Sequence, residues 1–447
     1  MRPSAGRRGV WLGATLLAVI AAPLGAQDGY ARLEGHGGPI KGVAVAPDRS
    51  RALTASFDYS VGLWDLGTNR LIRWLEGHEA AANDVAFLPG NRAVSVGDDF
   101  DLILWDLETG HLLRRMEGHR GKLIAVTPSP DGSMIATSGW DGKAALWPLD
   151  GGAPVWLTGH RANVNATLFA ADGTLYTASY DGTIRHWRAD GTMIATVVSH
   201  GFGVNHLVLN EAAGWLAYGA VDGTVRAIDL GTREQLADLT ADRRPILALA
   251  ANHDLSRIAV GDGEGYIMVI DTGGWTILHD FRAAKTGPIW ALAWDGDARL
   301  LAGGISDSAV LWPVGGDDAL FAEGKRHFHK DPGEMGNGER QFTRKCAVCH
   351  DLTPGQSRRA GPTLYGLFGR KAGTVAGYRY SDTLRESDIV WREDTIDRLF
   401  DEGPDHYTPG TKMPMQRIAK LDDRRDLIAF LKANTGPAPG QDAGESE

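Results

Sequence analysis

Cysteine is almost absent from this chain: two residues in 447, Cys346 and Cys349. That excludes a framework of several disulfides as the source of stability. An ordinary membrane span is also missing at the N-terminus, because the apolar run over residues 10–22 is too short for one. Basic charge is not in excess. The formal net charge is −10, with 46 Lys and Arg against 56 Asp and Glu, which argues against nucleic acid as a partner. With 43% hydrophobic and 23% charged residues the composition is that of packed globular protein, and the length calls for two or more domains.

The charge is unevenly spread. Residues 27–317 hold 23 basic and 35 acidic side chains, whereas residues 334–436 hold 17 and 15. Before both lies a leader. Arg2, Arg7 and Arg8 precede the run at 10–22, and Leu24-Gly25-Ala26 follows, so a secretory signal peptide over 1–26 is expected, cleaved after Ala26. Leu24 is not the best residue for that site, and an uncleaved anchor is the alternative. Gly9, Val10 and Trp11 fit a twin-arginine pattern poorly. The expected location is the periplasm, with attachment to the inner membrane if the leader is retained.

Both cysteines sit in Cys346-Ala347-Val348-Cys349-His350. C-x-x-C-H is the pattern for covalent attachment of one c-type haem: the thiols add to the vinyl groups, and the histidine is placed to bind iron. A zinc site would want two further Cys or His ligands at similar spacing, and none is evident. Haem is attached after export, which favours threading of an unfolded chain and agrees with the leader.

A repeat fills residues 27–317. Gly-His recurs at Gly35-His36, Gly77-His78, Gly118-His119 and Gly159-His160, with Ser199-His200 as a variant. Each unit closes an apolar strand at Trp64, Trp105, Trp147, Trp187, Ile228, Ile270 or Trp312, in steps of 41, 42, 40, 41, 42 and 42 residues. Between these marks lie alternating strands and Asp-Gly turns. In the fourth unit strands are expected over 164–169, 175–179 and 183–187, around turns at Asp172-Gly173 and Asp181-Gly182. The period and the Gly-His and Trp-Asp marks resemble the WD-repeat family of β-propellers, and seven marks imply seven blades.

That resemblance also implies structural roles. An Asp six residues before the closing Trp or Ile (Asp58, Asp99, Asp141, Asp181, Asp222) accepts a hydrogen bond from the Gly-His histidine. The histidine in turn meets a hydroxyl that bonds the Trp ring, with His160, Ser179, Asp181 and Trp187 as the expected set. A strand over 30–34 has no inner strands of its own and is expected to complete blade seven. Lys41, Asn83, Ile124, Asn165, Asn205, Leu247 and Trp290 align at one repeat position near the central channel. Of these Lys41, Asn83, Asn165, Asn205 and Trp290 are the candidate partner-docking surface, with Trp290 as anchor.

Residues 318–333 form an irregular linker, in which His327 and His329 are a weak metal motif. Residues 334–436 then resemble class I cytochrome c, the mitochondrial type, nearly end to end. The match rests on Gly338 and Phe342, the 361–371 loop GPTLYGLFGRK, Tyr378, Tyr380, Trp391, the 409–414 segment PGTKMP and the 426–432 segment DLIAFLK. An acidic tail follows over 437–447. The expected fold is therefore multidomain: an all-β seven-bladed propeller, then an all-α class I cytochrome c domain.

The cytochrome resemblance implies His350 and Met413 as the two iron ligands, with Met415 and His406 as alternatives to Met413. It gives the Pro362 carbonyl to the free ring N–H of His350, assigns Arg370, Tyr380 and Trp391 to the propionates, and counts Tyr378 among the haem-side aromatics. Leu384 stands where the family often has asparagine, and Leu399 or Phe400 where it has tyrosine. The family's dense lysine face is reduced to Lys345, Lys371, Lys412, Lys420 and Lys432, so electrostatic docking should be weaker. The leading expectation is a periplasmic one-electron carrier, not an enzyme, whose propeller docks unidentified redox partner proteins. Alternatives are an oxidoreductase with a propeller active site feeding the haem, and a haem-based redox sensor or scaffold. Propeller–cytochrome dehydrogenases with a quinone cofactor have eight larger blades and adjacent cysteines, neither of which is present.

Overall fold

The computed structural model describes residues 30–239, 245–284, 287–314, 335–347, 349–355, 361–378, 380–408, 411, 413 and 417–436, without the side chains of Arg344, Asp382 and Asp405. The leader, the linker with His327 and His329, the tail, and Pro409, Gly410, Lys412, Pro414 and Met415 lie outside the described residues.

Alternating apolar residues broken by Asp-Gly and Asn turns produce seven four-stranded antiparallel sheets. In the fourth blade the strands run Val164–Phe169, Leu175–Ser179, Thr183–Trp187 and Met193–Ser199. The first three match the sequence expectation residue for residue. The first strand of every blade touches the first strand of the next, from Ile40–Val45 round to Ile289–Asp295 and back. These strands therefore line the centre of a closed ring. Blade seven has only three strands of its own, and Ala31–Glu34 pairs antiparallel with Ser308–Pro313, Leu33 opposite Ala309, to complete it.

The core lies between blades. Leu53, Val61 and Leu63 of blade one pack with Val85, Ile103 and Trp105 of blade two, and equivalent clusters recur round the ring. Side chains of adjacent sheets interdigitate, so no blade buries its apolar face alone.

Four blades tie their outer layers with a buried polar network. In blade one the Trp64 ring N–H donates to Thr54 Oγ1 at 2.7 Å. The Thr54 hydroxyl donates to His36 Nε2 at 2.7 Å, and His36 Nδ1–H donates to Asp58 at 2.9 Å. The carboxylate can only accept, which fixes the direction of the whole chain. His78, Ser95, Asp99 and Trp105 repeat it, as do His119, Thr137, Asp141 and Trp147. In blade four the hydroxyl is Thr177, at 2.7 Å from His160 and 2.8 Å from Trp187, and not the expected Ser179. Thr177 and Ser179 are two apart on one strand and share a face. Thr177 lies level with the ring, while Ser179 Oγ, one step nearer the turn, donates to the Asn163 carbonyl at 2.9 Å.

The cytochrome domain contains helices α1 (Asn337–Lys345), α2 (Asp382–Glu386), α3 (Glu393–Glu402), α4 (Pro404–Tyr407) and α5 (Leu421–Asn434). Helices α1 and α5 cross where a side chain on Gly338 would collide with the Asp426 carbonyl, and Phe342 meets Phe430 with ring centroids 5.4 Å apart. Among the described residues no helix is long and apolar enough to cross a membrane.

Thr177→Val leaves the His160 and Trp187 nitrogens unpaired in the interior and should cost about 2–4 kcal/mol by urea denaturation; Ser179→Ala should cost only about 1 kcal/mol. The network also sets an acid response. Burial pushes Asp58, Asp99, Asp141 and Asp181 up, but hydrogen bonds from histidine, backbone N–H and hydroxyl groups outweigh it and hold all four below the ordinary value of 3.8. A depressed folded-state value means that the unfolded chain binds protons more readily. The stabilisation is then present above about pH 4 and is lost as pH falls. The urea midpoint should drop between about pH 5 and about pH 3, and Asp181→Asn should make that drop shallower.

Candidate haem-binding site

The site begins at the end of α1. The helix continues into a turn in which the His350 N–H donates to the Cys346 carbonyl at 2.8 Å, so Cys346, Cys349 and His350 lie on one tight loop. His350 Nδ1–H donates to the Pro362 carbonyl at 2.7 Å. That bond holds the ring and leaves Nε2 with its lone pair directed elsewhere. Gly361 is required beside it, since any side chain there would collide with the His350 ring.

A cavity of about 420 Å³ opens against this loop. Cys346, Cys349, His350, Pro362, Arg370, Tyr378, Tyr380, Trp391 and Met413 all line it, so every cofactor-binding residue expected from the sequence converges on one space. Leu384, Leu399 and Phe400 line it too, and an apolar wall of Leu364, Leu367, Ile396 and Leu431 completes the domain's share. His406 is exposed and lies outside the lining.

Arg370 is held from behind: its guanidinium donates to the Tyr365 carbonyl at 2.6 Å and the Thr363 carbonyl at 2.9 Å, and burial lowers its pKa from the usual 12.5. Tyr378 and Tyr380 meet edge to face at 4.7 Å, and burial, then Tyr380, pushes the Tyr378 phenol up to about 12. The Cys346 thiol is pushed up to about 12, first by burial and then by Cys349. The lysine face is further thinned because Lys371 pairs with Asp388 at 2.9 Å and Lys432 with Glu393 at 2.5 Å.

The residues fit a haem c. Two thiols, an oriented imidazole and a thioether surround one space, most of whose walls are apolar, with the half-buried Arg370 and two phenols among its lining. A zinc reading is not supported: among the described residues no group of three or more His, Cys, Asp or Glu could hold a metal ion.

Sequence reasoning missed that the far side of this cavity belongs to the propeller. Phe57 and Tyr59 of blade one, with Ala80, Ala81, Asp98 and Lys122 from blade two and the turn into blade three, line it opposite the cytochrome residues. The candidate docking residues are engaged within the ring. Asn83 is 3% exposed and donates to the Leu123 carbonyl of the next blade and to Asp98, both at 2.8 Å. Asn165 and Asn205 likewise donate to Val204 and Ile246 carbonyls. The Lys41 ammonium lies 5.3 Å from the Trp290 ring, and Trp290 stacks on Phe57 at 5.6 Å. The physical reason is position: these residues follow the lead apolar residue of the innermost strand, where a polar side chain reaches the neighbouring blade.

A β-propeller joined to a small helical domain with a haem c pocket defines a c-type electron-transfer protein with an interaction module. Residues 335–435 match the Cytochrome c family, and residues 29–65, 69–106, 110–148 and 154–188 match the family WD domain, G-beta repeat. The cytochrome c of Arabidopsis thaliana is 45% identical over 103 residues, covering 23% of this chain and 91% of that protein. That of Cochliobolus lunatus is 44% identical over 105 residues, covering 24% and 96%. The chain belongs to the cytochrome c family through its C-terminal domain, and its cofactor is a covalently bound haem c. The WD-domain match spans blades one to four, those that carry the full polar network.

Gly361→Ala should cut the yield of covalently loaded protein several-fold, read as haem staining after denaturing electrophoresis, because the displaced imidazole no longer faces the pocket.

Proposed function

We propose that the protein carries single electrons through one haem c held by Cys346 and Cys349 and ligated by His350 and Met413, without a catalytic step of its own. The observation that carries this reading is the convergence of two thiols, a carbonyl-oriented imidazole and the Met413 thioether on a single cavity. The bound haem supplies one-electron redox chemistry. His350 binds from a position fixed by Pro362. Met413 supplies a soft sulfur, which favours ferrous iron and raises the potential. Arg370, Tyr380 and Trp391, which line the cavity, would hold the propionates, and the leucine and phenylalanine wall would keep water out.

In this reading the protein works in the periplasm, in keeping with the leader expected at residues 1–26, or on the inner membrane if that leader persists. The propeller serves as the docking platform for redox partner proteins. Support comes from family membership in interaction repeats and from large apolar side chains exposed on its loops, Trp140, Tyr180 and Phe202 at 48%, 56% and 59%.

Spectroelectrochemistry of the purified holoprotein tests the ligand pair. Met413→Leu should lower the midpoint potential and abolish the sulfur-to-iron charge-transfer absorption, while His406→Ala leaves both unchanged. An unaltered Met413→Leu spectrum would remove Met413 as the ligand.

A further inference from the structure

We propose that the propeller completes the haem site in cis: blades one and two form its outer wall, and Tyr59 is the side chain that closes it. This rests on the haem reading above.

Three independent observations converge on the wall. First, the cavity that holds Cys346, Cys349, His350 and Met413 is bounded on its other side by Phe57, Tyr59, Ala80, Ala81, Asp98 and Lys122. Second, the repeat shows that Tyr59 departs from its own pattern. The turn after the second strand places one residue in the left-handed region, and blades three to six use glycine there: Gly142 at φ 77°, Gly182 at 81°, Gly223 at 86° and Gly265 at 92°. Blade one instead puts Tyr59 at φ 71°, and blade two Phe100 at 72°. A bulky L-residue in that conformation is strained, and of the two blades that depart from glycine it is blade one whose residue, Tyr59, lines the cavity. Third, the wall is braced. Phe57 stacks on Trp290 with an interplanar angle of 20°, and Asp98 accepts from Asn83 and pairs with Lys122. Ala80 and Ala81 are small, so the cofactor edge can come close.

The physical effect has a definite sign. Oxidised haem carries one more positive charge than reduced haem. The rings and methyl groups of this wall, with Asp98 and Lys122 paired to each other, stand in place of water and disfavour the extra charge, so the wall raises the potential. The same wall keeps dissolved reagents from the haem edge.

The repeat supplies matched variants. Tyr59→Gly restores the residue that four other blades use, so the turn keeps its conformation while the ring leaves the wall. Phe100→Gly makes the same change in blade two, at a residue that does not line the cavity. Neither variant alters charge. Covalent haem is first verified in the unmutated full-length protein, where its absence would sink the electron-carrier reading itself, and then in each variant, so that only loaded proteins are compared. Tyr59→Gly should then lower the midpoint potential and speed oxidation by ferricyanide several-fold, while Phe100→Gly does neither. In unmutated holoprotein with labelled alanine methyl groups, the resonances of Ala80 and Ala81 should shift between the ferric and ferrous states, and that of Ala213, exposed in the turn between the first two strands of blade five and outside the cavity lining, should not. The inference is overturned if Tyr59→Gly matches Phe100→Gly in both potential and rate, or if Ala80 and Ala81 ignore the redox state.

Discussion

One buried hydroxyl in each of four blades holds the outer layers of the propeller to the inner ones. Thr54, Ser95, Thr137 and Thr177 each join an indole N–H to an imidazole whose other nitrogen is held by a carboxylate. None of these polar groups could be buried alone without a penalty, and together they leave no donor unmatched. The histidine enters from the loop before the first strand and the Asp from the turn after the second. The network therefore fixes both loops on the same face of the ring. That face carries Phe57, Tyr59, Ala80 and Ala81, so the outer side of the haem cavity inherits its shape from a tie that never touches it.

The cytochrome domain uses a similar economy. Pro362 has no N–H, and its carbonyl is given to His350; the neighbouring Gly361 keeps that approach open. Arg370 is anchored to two carbonyls of the same loop. A single segment, 361–371, thus orients the His350 imidazole and the half-buried Arg370 together.

Much of this was legible in the sequence. The blade-four strands and the closure of blade seven by residues 30–34 follow from period and turn chemistry, and the nine residues that the cytochrome resemblance put forward for the cofactor all line one cavity. What the sequence did not show has identifiable reasons. Thr177 and Ser179 carry the same group on the same face, and only the depth of the strand relative to the Trp187 ring separates them. Asn83, Asn165 and Asn205 share a repeat position, but a one-dimensional alignment does not say that a neighbouring carbonyl lies within reach. The propeller's share of the cavity left one trace: Asp58-Tyr59 where blades three to five read Asp-Gly. Its meaning depends on a contact between residues nearly three hundred positions apart.

The pairing of Ala31–Glu34 with Ser308–Pro313 has a temporal consequence. The strand nearest the N-terminus has no partner until the last blade is present, so closure of the ring is among the most non-local of contacts and comes late. The thiols at 346 and 349 emerge only a few dozen residues after that partner strand. The strand that closes the ring and the two thiols therefore become available close together along the chain, and a slip in blade seven would leave a sheet edge open.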